Sequence, residues 1–460
     1  MVICSMCILS AGTGLDGERC PIIRVARPAA PKTVKHPRFI LSHVLRAPEL
    51  YYGPLAELAQ TLDTPMNLAG DLPQRVLMLS IVNPQAERNG AATVTRGLLQ
   101  LLALPPLAAQ VDCVAVRAEP PRWHGLVQAR TLLLHPVSAL PLKAAFLYTR
   151  EFRDQVVARV GSEHYDLVVL NGADLVWILD YLPASIPRIL VAHNIEHLLF
   201  GSQIRNLGWW YRPLAGLLRR DNLRLKDYEL EGLRKSENAI FLSDEEAAYA
   251  ARVGEGLRLI AIPPVFDYAP RPRQRRRAGP TLELGFVGNF KWWPNQLSLR
   301  WFANEILPHV KSPVRIHLYG HRARCGWRSD PRIVEHGVVE SIEEVWASCD
   351  FLICPTFATG GVCVKLAEAV YNRMPVLATR HAARGLSIDD DAALVFLDQP
   401  GEWVEFLNST AARDLAERQV AEKTGARFAM NAQKDGLQQF VREAILSKGL
   451  SGGSTVSRTI

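Results

Sequence analysis

Two patterns of apolar and polar positions alternate along the chain. Short apolar runs bounded by Gly, Pro, Asn or Ser read as buried strands, and longer stretches with a helical period read as helices. In order, the strand candidates are Arg75–Val82, Val111–Val116, Tyr165–Leu170, Arg188–Ala192 and Asn238–Leu242. A second series follows: Leu282–Gly288, Val314–Gly320, His336–Val339, Phe351–Pro355 and Pro375–Thr379. Helices are predicted over Thr93–Leu102, Asn222–Lys235, Gln296–Leu307 and Ile342–Ala347, and another after Ser243, an N-cap with an acidic first turn. A last helical region runs from Pro400 to about Leu446, and the Gly/Ser/Thr tail from Ser447 reads as disordered. Strand and helix alternating in this way predict an α/β protein with parallel sheets. Pro263, Pro264, Pro270, Pro272 and Pro280 mark a linker, so the series divides into two α/β halves.

One unit carries the most chemistry. Gly360-Gly-Val-Cys-Val-Lys-Leu-Ala-Glu-Ala-Val-Tyr-Asn-Arg373 lies between two strand candidates, so it reads as the turn and helix of a βαβ crossover. A helix N-terminus offers free N–H groups and partial positive charge, which suits a phosphate. Lys365 falls near the first turn, where a cation is misplaced unless an anion binds. Glu368 follows by three residues and projects from the same face. A cation for phosphate and a carboxylate for ribose hydroxyls fit a nucleotide-sugar site. The same residues also suit a packing turn with a solvent-facing Lys–Glu pair, and the sequence leaves both open.

Two further stretches fall at strand carboxyl ends, where open α/β sheets gather ligands. The loop Asn83–Gly90 is either a cleft wall or an ordinary βα loop. His193, in His193-Asn-Ile-Glu-His197, either meets a sugar hydroxyl or a proton in transfer, or is a structural histidine bonded to backbone.

Composition narrows the class. The 460 residues suit two or three domains, and 48% hydrophobic with 22% charged residues is ordinary for a globular chain. The net charge of +7 favours anionic partners. The run Arg271–Arg277 lies among prolines without interleaved aromatics, so it reads as linker and not as a nucleic-acid site. Of eight cysteines, Cys4 and Cys7 form one CxxC, with no second pair at zinc-like spacing, and several others sit in apolar runs. A reducing compartment is expected. No apolar stretch reaches about 18 residues, so no transmembrane helix is expected. The apolar segment Val2–Leu9 lacks the basic flank and cleavage site of a secretory signal. Gly208–Arg220, with Trp209, Trp210 and Tyr211, suits either an interfacial membrane helix or the cover of a core.

The motifs together resemble the retaining glycosyltransferases of family 4, which have the two-domain GT-B fold. The resemblance rests on His193-Asn-Ile-Glu196, the Tyr228-Glu229 helix leading to a strand that ends at Ser243, and Phe286-Val-Gly288. It also rests on Pro294-Asn295, Trp301-Phe302, Ile306-Leu-Pro308 and the glycine–Lys365–Glu368 helix. These cues span about residues 75–445, and the Pro294–Pro308 segment looks most like transferases of bacterial surface or exopolysaccharide assembly. The implied organisation is an N-terminal extension, partly disordered, over 1–70 and a Rossmann-like acceptor domain over 71–265. A linker over 266–280, a Rossmann-like donor domain over 281–430, and a C-terminal helix with disordered tail over 431–460 complete it.

The resemblance implies a donor nucleotide-sugar in the C-terminal half. Gly288 and Lys291 would lie near its diphosphate, Gly360, Gly361 and Lys365 would hold phosphate or sugar, and Glu368 would contact ribose. His193 would meet the donor sugar, and Asn89 and Gly90 would line the sugar–acceptor cleft. His193, Lys365 and Glu368 are thus the candidate catalytic residues of a hexosyltransferase-type enzyme. The implied reaction is retaining transfer to a glycan or lipid-linked acceptor in polysaccharide biosynthesis. It needs no metal or other cofactor and no carboxylate pair, because the leaving phosphate helps deprotonate the acceptor. The expected location is cytoplasmic, with peripheral contact on the inner face of the cell membrane, and no nucleic-acid partner is expected.

Three departures from the pattern stand out. Gly360 occupies the place of the first glutamate of a paired-glutamate motif, although related polysaccharide transferases often carry glycine there. Cys363 stands where an arginine is common, and Arg373 where a helix-ending glycine is expected, so the helix is expected to end differently. These motivate a second reading, a degenerate, non-catalytic nucleotide-sugar-binding protein. A nucleotide-sugar epimerase of the same fold is a third, but it would need acidic residues and a histidine converging on one sugar carbon.

Overall fold

A computed structural model describes residues 73–107, 109–116, 138–205, 212–272, 279–290, 292–321, 330–357 and 360–452. The N-terminal extension, Lys291, the Trp209–Tyr211 cluster, the Cys4–Cys7 pair and the end of the tail lie outside the described residues.

Two six-stranded, wholly parallel sheets organise the chain. The first has the order β2-β1-β3-β4-β5-β6, from β1 (Arg75–Ser80), β2 (Gln110–Ala115), β3 (Leu167–Asn171), β4 (Arg188–Ala192), β5 (Asn238–Phe241) and β6 (Arg258–Ala261). The second has the order β12-β11-β10-β7-β8-β9, from β7 (Leu282–Val287), β8 (Val314–Tyr319), β9 (Ile333–Gly337), β10 (Phe351–Cys354), β11 (Val376–Ala378) and β12 (Leu394–Phe396). Central strands such as Val76-Leu-Met-Leu79 and Phe351-Leu-Ile-Cys354 are buried at every position. Helices cover both faces of a parallel sheet, so its inner strands need apolar residues on both sides. This is the two-domain GT-B fold.

Strand order fixes where a ligand can enter. In the first sheet the order reverses between β1 and β3, and in the second between β7 and β10. The loops leaving β7 and β10 begin at Gly288 and Pro355, so they flank the second switch point, where open α/β sheets bind ligands. The loops after β1 and β3, starting at Ile81 and Gly172, flank the first.

Several elements differ from the sequence reading. The strand expected at His336–Val339 is Ile333–Gly337. The helix expected from Gln296 begins at Trp293 with Pro294 in its first turn, and then changes to a π turn over Phe302–Ile306. The helix expected from Asn222 begins at Arg212. The final helix, Met430–Gly452, continues through Ser447 instead of ending there. Its Leu437, Phe440, Val441 and Ala444 pack with Val76, Met78, Leu98 and Leu101 of the first half, so the chain crosses back after completing the second sheet. Among the described residues no helix is long and apolar enough to cross a membrane.

Candidate functional site

The helix α1 (Val364–Tyr371) follows β10 through the glycine turn. Gly361 has φ +65, a left-handed conformation, and it lies directly against the first half. A Cβ there would stand 2.4 Å from the His193 carbonyl oxygen and 2.4 Å from Asn194 Oδ1. A Cβ on Gly360 would stand 2.8 Å from Leu199 Cβ. Gly90 faces Val364, whose Cβ would be 3.4 Å from an added methyl. Glycine at 360 and 361 therefore lets this turn approach the loop after β4. The structure brings His193, Gly90, Gly360 and Gly361 together, from three separate stretches of sequence.

Lys365 reaches back toward the loop after β7. Its Nζ donates to Asn295 Oδ1 at 2.7 Å and stands 4.9 Å from the centre of the Phe286 ring. Asn295 in turn donates to the Asn289 carbonyl and packs against Gly288, where a Cβ would be 2.9 Å from Asn295 Nδ2. Gly288, Asn295 and Lys365 thus form one group beside the second switch point. Asn295 was legible only as part of the Pro294-Asn295 motif, with no role assigned.

Glu368 lies one turn further along α1. Its Oε1 accepts from Tyr268 Oη at 2.8 Å, and Asn372 Nδ2 donates to the same Tyr268 oxygen at 3.1 Å. Burial pushes the Glu368 carboxyl above its ordinary value, against the Tyr268 hydrogen bond and the charge of Arg96. In this state the carboxylate is tied to the linker tyrosine, and a ribose would have to share or displace that hydroxyl. Tyr268 falls in the linker, and no pattern in the sequence singles it out.

Asn89 has a structural task. It N-caps the helix Gly90–Ala103, accepting from Ala92 N at 2.9 Å, while its amide donates to Glu87 at 2.8 Å. Arg88 of the same loop donates to the carbonyls of Val339 and Glu340 in the second half, at 3.4 and 3.0 Å.

His193 follows β4, and its Nε2 lies 2.7 Å from Asn171 Oδ1. The Asn171 amide donates to Ser80 Oγ at 3.0 Å and Thr95 Oγ1 at 2.8 Å, which leaves its oxygen as the acceptor. His193 therefore carries its proton on Nε2, and Nδ1 is the acceptor. Burial pushes the imidazole down to about 4, against the charge of Glu196, so it is neutral at pH 7.

A buried ionic group holds this loop from behind. Glu196 accepts from Asn194 Nδ2 at 2.9 Å and pairs with Lys143, which is also 3.8 Å from Asp174. Glu229 accepts from the N–H groups of Glu196 and His197, at 2.7 and 2.9 Å, and pairs with His197 Nδ1 at 2.6 Å. Burial lifts the Asp174 carboxyl to about 6, only partly offset by Lys143. Sequence reading named Glu196 and Glu229 only as motif letters and missed Lys143 and Asp174, which lie far away in sequence.

The turn itself carries two thiols. Cys354 ends β10 and Cys363 N-caps α1; both are buried in the same apolar cluster. The neighbouring Cys354 thiol, opposed by burial and helped by Lys365, brings the Cys363 thiol down to about 6. Arg373 does not move the end of the helix. With φ +59 it occupies the left-handed cap itself: its N–H donates to Val370 O and that of Met374 to Ala369 O. Arg373 Nε donates to Val420 O, and Val420 N returns a bond to Arg373 O. Among the described residues no group of three or more His, Cys, Asp or Glu side chains is placed to hold a metal ion.

Comparison with known proteins agrees with this architecture. Residues 281–412 match the family "Glycosyl transferases group 1". The chain is similar in structure to Alr3699/HepE of Anabaena, solved with UDP and glucose. The two are 15% identical with a TM-score of 0.53, over 80% of this chain and all of that one. It is also similar to the sucrose-phosphate synthase tll1590 of Thermosynechococcus elongatus, at 14% identity and a TM-score of 0.55, over 81% of this chain and 100% of the other. No curated protein matches the chain. At these identities the likeness defines the GT-B fold.

Proposed function

We propose that this chain is a glycosyltransferase that takes a sugar from a nucleotide-sugar donor held by its second half. One observation carries the reading. At the second switch point a glycine turn, a helix N-terminus and Lys365 converge, and this turn meets the His193 loop of the first half. The "Glycosyl transferases group 1" match falls on this same half, and a structural neighbour was solved with UDP-glucose.

In this reading Lys365 and the first turn of α1 stabilise the negative charge that develops on the departing diphosphate. Their positive charge serves where a metal would otherwise be needed. Neutral His193 offers Nδ1 to a sugar hydroxyl, with its tautomer fixed by Asn171. Glu368 exchanges Tyr268 for the ribose hydroxyls. The anomeric configuration is retained, with the leaving phosphate drawing the acceptor proton. The transferred group is a hexose and the acceptor a glycan or lipid-linked glycan of polysaccharide assembly. The enzyme works in the cytoplasm, against the inner face of the membrane.

A second reading rests on Gly360, Cys363 and the Tyr268–Glu368 bond: a GT-B protein that binds nucleotide-sugar without turnover. A thermal-shift screen over nucleoside diphosphates and nucleotide-sugars, UDP-sugars first, separates the cases. A ligand bound only by the folded state adds about 2.7 kcal/mol at 100 times its dissociation constant. The Lys365→Ala and Glu368→Ala variants should each lose about 1.5–3 kcal/mol of donor binding, the worth of a hydrogen bond to a charged group. That is about tenfold to 150-fold in affinity. Donor binding with no transfer to any acceptor favours the second reading. No shift with any nucleotide, from folded protein, would sink both.

A further inference from the structure

Three fully buried polar side chains stand behind His193: Ser80 at the end of β1, Asn171 at the end of β3, and Thr95 in the helix Gly90–Ala103. Their protons can be placed one at a time. Ser80 Oγ donates to the Val82 carbonyl and Thr95 Oγ1 to the Ala91 carbonyl, each at 2.8 Å. A hydroxyl has a single proton, so both oxygens are left as acceptors. The Asn171 atom that faces them, at 3.0 and 2.8 Å, is therefore the amide nitrogen. The amide oxygen is then turned to His193 Nε2 at 2.7 Å, and that nitrogen carries a proton. The hydrogen-bond polarity thus runs from two main-chain carbonyls to the imidazole and ends at Nδ1, a bare acceptor. Asn171 is uncharged, so it fixes the tautomer without drawing a second proton onto the ring, as an aspartate would.

Resting on the nucleotide-sugar reading above, we propose that this network makes the donor site specific for a neutral sugar: Ser80, Thr95 and Asn171 are positioning residues that hold His193 as a hydroxyl acceptor, so that a nucleotide-activated hexose is taken and the corresponding uronate rejected. A sugar hydroxyl gives its proton to Nδ1. A uronate carboxylate at pH 7 has none to give, so lone pair faces lone pair. Its charge also adds to those of the carboxylates that hold the loop. Glu196 accepts from Asn194 Nδ2, and Glu229 accepts from the N–H groups of Glu196 and His197. Lys143 does not compensate a further anion, because Glu196 and Asp174 already pair with it. Protonating the ring to receive a carboxylate is opposed by burial, which pushes the imidazole down to about 4 against the charge of Glu196.

The test is calorimetry on the full chain at pH 7 with UDP, UDP-glucose and UDP-glucuronate, and with GDP, GDP-mannose and GDP-mannuronate. For the base that binds, the uronate should bind at least about tenfold more weakly than the neutral sugar, since juxtaposed like charges cost more than the about 1.4 kcal/mol this factor represents. In Asn171→Asp a carboxylate accepts from Nε2 and favours the imidazolium, so most of this preference should be lost. Thr95→Val keeps the shape and removes one acceptor. It is the second variant in case the first does not fold, and it should narrow the preference, whereas Thr95→Ser should keep it. The imidazole ¹⁵N spectrum reads the network directly, with the His193 signals identified from His193→Gln. A neutral ring protonated at Nε2 is expected in the unmodified chain and a charged ring in Asn171→Asp. A ring that is charged at pH 7 in the unmodified chain, or protonated at Nδ1 alone, overturns the polarity. A uronate bound as tightly as the neutral sugar overturns the specificity and leaves the donor assignment standing. An unchanged preference in an Asn171→Asp protein with a charged ring overturns His193 as its source. No binding of any of these ligands, from folded protein, overturns the donor assignment and this proposal with it.

Discussion

Replacing Gly361 by alanine tests the contact on which the site depends. Two costs arise, and the structure allows them to be separated. The first is conformational: φ is +65, and an L-residue pays about 1–2 kcal/mol in the left-handed region. The second is steric. The new methyl would lie 2.4 Å from both the His193 carbonyl and Asn194 Oδ1, against the 3.0 Å that real Cβ atoms essentially always keep. Neither atom is free to swing aside, since one is backbone and the Asn194 amide is bonded to Glu196. Overpacking of this kind costs about 1–3 kcal/mol unless the two halves part. Gly256 supplies the control. Its φ is +71, but an added Cβ meets nothing within 4 Å. Gly256→Ala should therefore show the conformational cost alone, and Gly361→Ala about 1–3 kcal/mol more. Each kcal/mol lowers the melting temperature of a domain of this size by about 2–4 °C. If the halves part instead, the extra destabilisation disappears and the radius of gyration from small-angle scattering rises. Donor turnover should fall about 100-fold in either case, as a displacement of about 1 Å does. A Gly361→Ala protein equal to Gly256→Ala in melting, scattering and turnover would refute the contact.

Two further changes probe the helix end and the loop support. At the left-handed cap, Arg373→Gly relieves about 1–2 kcal/mol of backbone strain but loses the Nε bond to Val420 O, worth about 0.5–1.5 kcal/mol. Arg373→Ala keeps the strain and loses the bond, so the glycine variant should melt higher than the alanine variant; the reverse order would show that the cap is unstrained. Glu246, whose Oε1 accepts from Ile195 N at 3.2 Å, is lifted to about 7 by burial, although the Ile195 bond pulls it the other way. A carboxyl raised on folding binds its proton more tightly in the folded state, so its contribution is full below about pH 4.5 and is lost as pH rises through about 7. Glu246→Gln should flatten that part of the stability–pH curve, read from melting temperatures between pH 4.5 and 8. An unchanged slope would place the titrating group elsewhere.

The two-sheet architecture was legible because parallel strands buried on both faces leave continuous apolar runs, as in Val76–Leu79 and Phe351–Cys354. Strand β12 and the edge strand β6 were not read: Leu394-Val-Phe396 is three residues long, and Arg258-Leu-Ile-Ala261 runs into the proline-rich linker. The final helix was read short because Gly, Ser and Thr signal a tail, whereas its apolar stripe from Leu437 to Ala444 anchors it on the first half. At the site, Lys365 and Glu368 were visible because both lie on one helix. Their partners Asn295 and Tyr268 were not, since those contacts span 70 and 100 residues of sequence. The side chain of Asn89 caps the helix Gly90–Ala103, a local role the loop reading did not assign, and its neighbour Gly90 lies against Val364 of α1. Arg373 was expected to shift the helix end, but reciprocal bonds to Val420 hold the strained residue where glycine would sit.

Electrostatics distinguishes the two halves as hosts for an anion. Each presents a helix N-terminus near the contact between them, so position alone does not choose. In the first half, the N–H groups of Ile195, Glu196 and His197 already donate to the carboxylates of Glu246 and Glu229. A phosphate there would have to displace the Glu229 and Glu246 side chains and would face Glu196 and Asp174, with Lys143 the cation paired to them. The first turn of α1 holds no acidic residue and carries Lys365, bonded only to a neutral amide oxygen among its described hydrogen bonds. An anion at α1 exchanges a neutral partner for a charged one, which strengthens the bond. The same carboxylates that exclude phosphate from the first half suit the positive charge that a sugar ring develops as its leaving group departs. The proposed division of labour, diphosphate on the second half and sugar against the first, follows from this asymmetry.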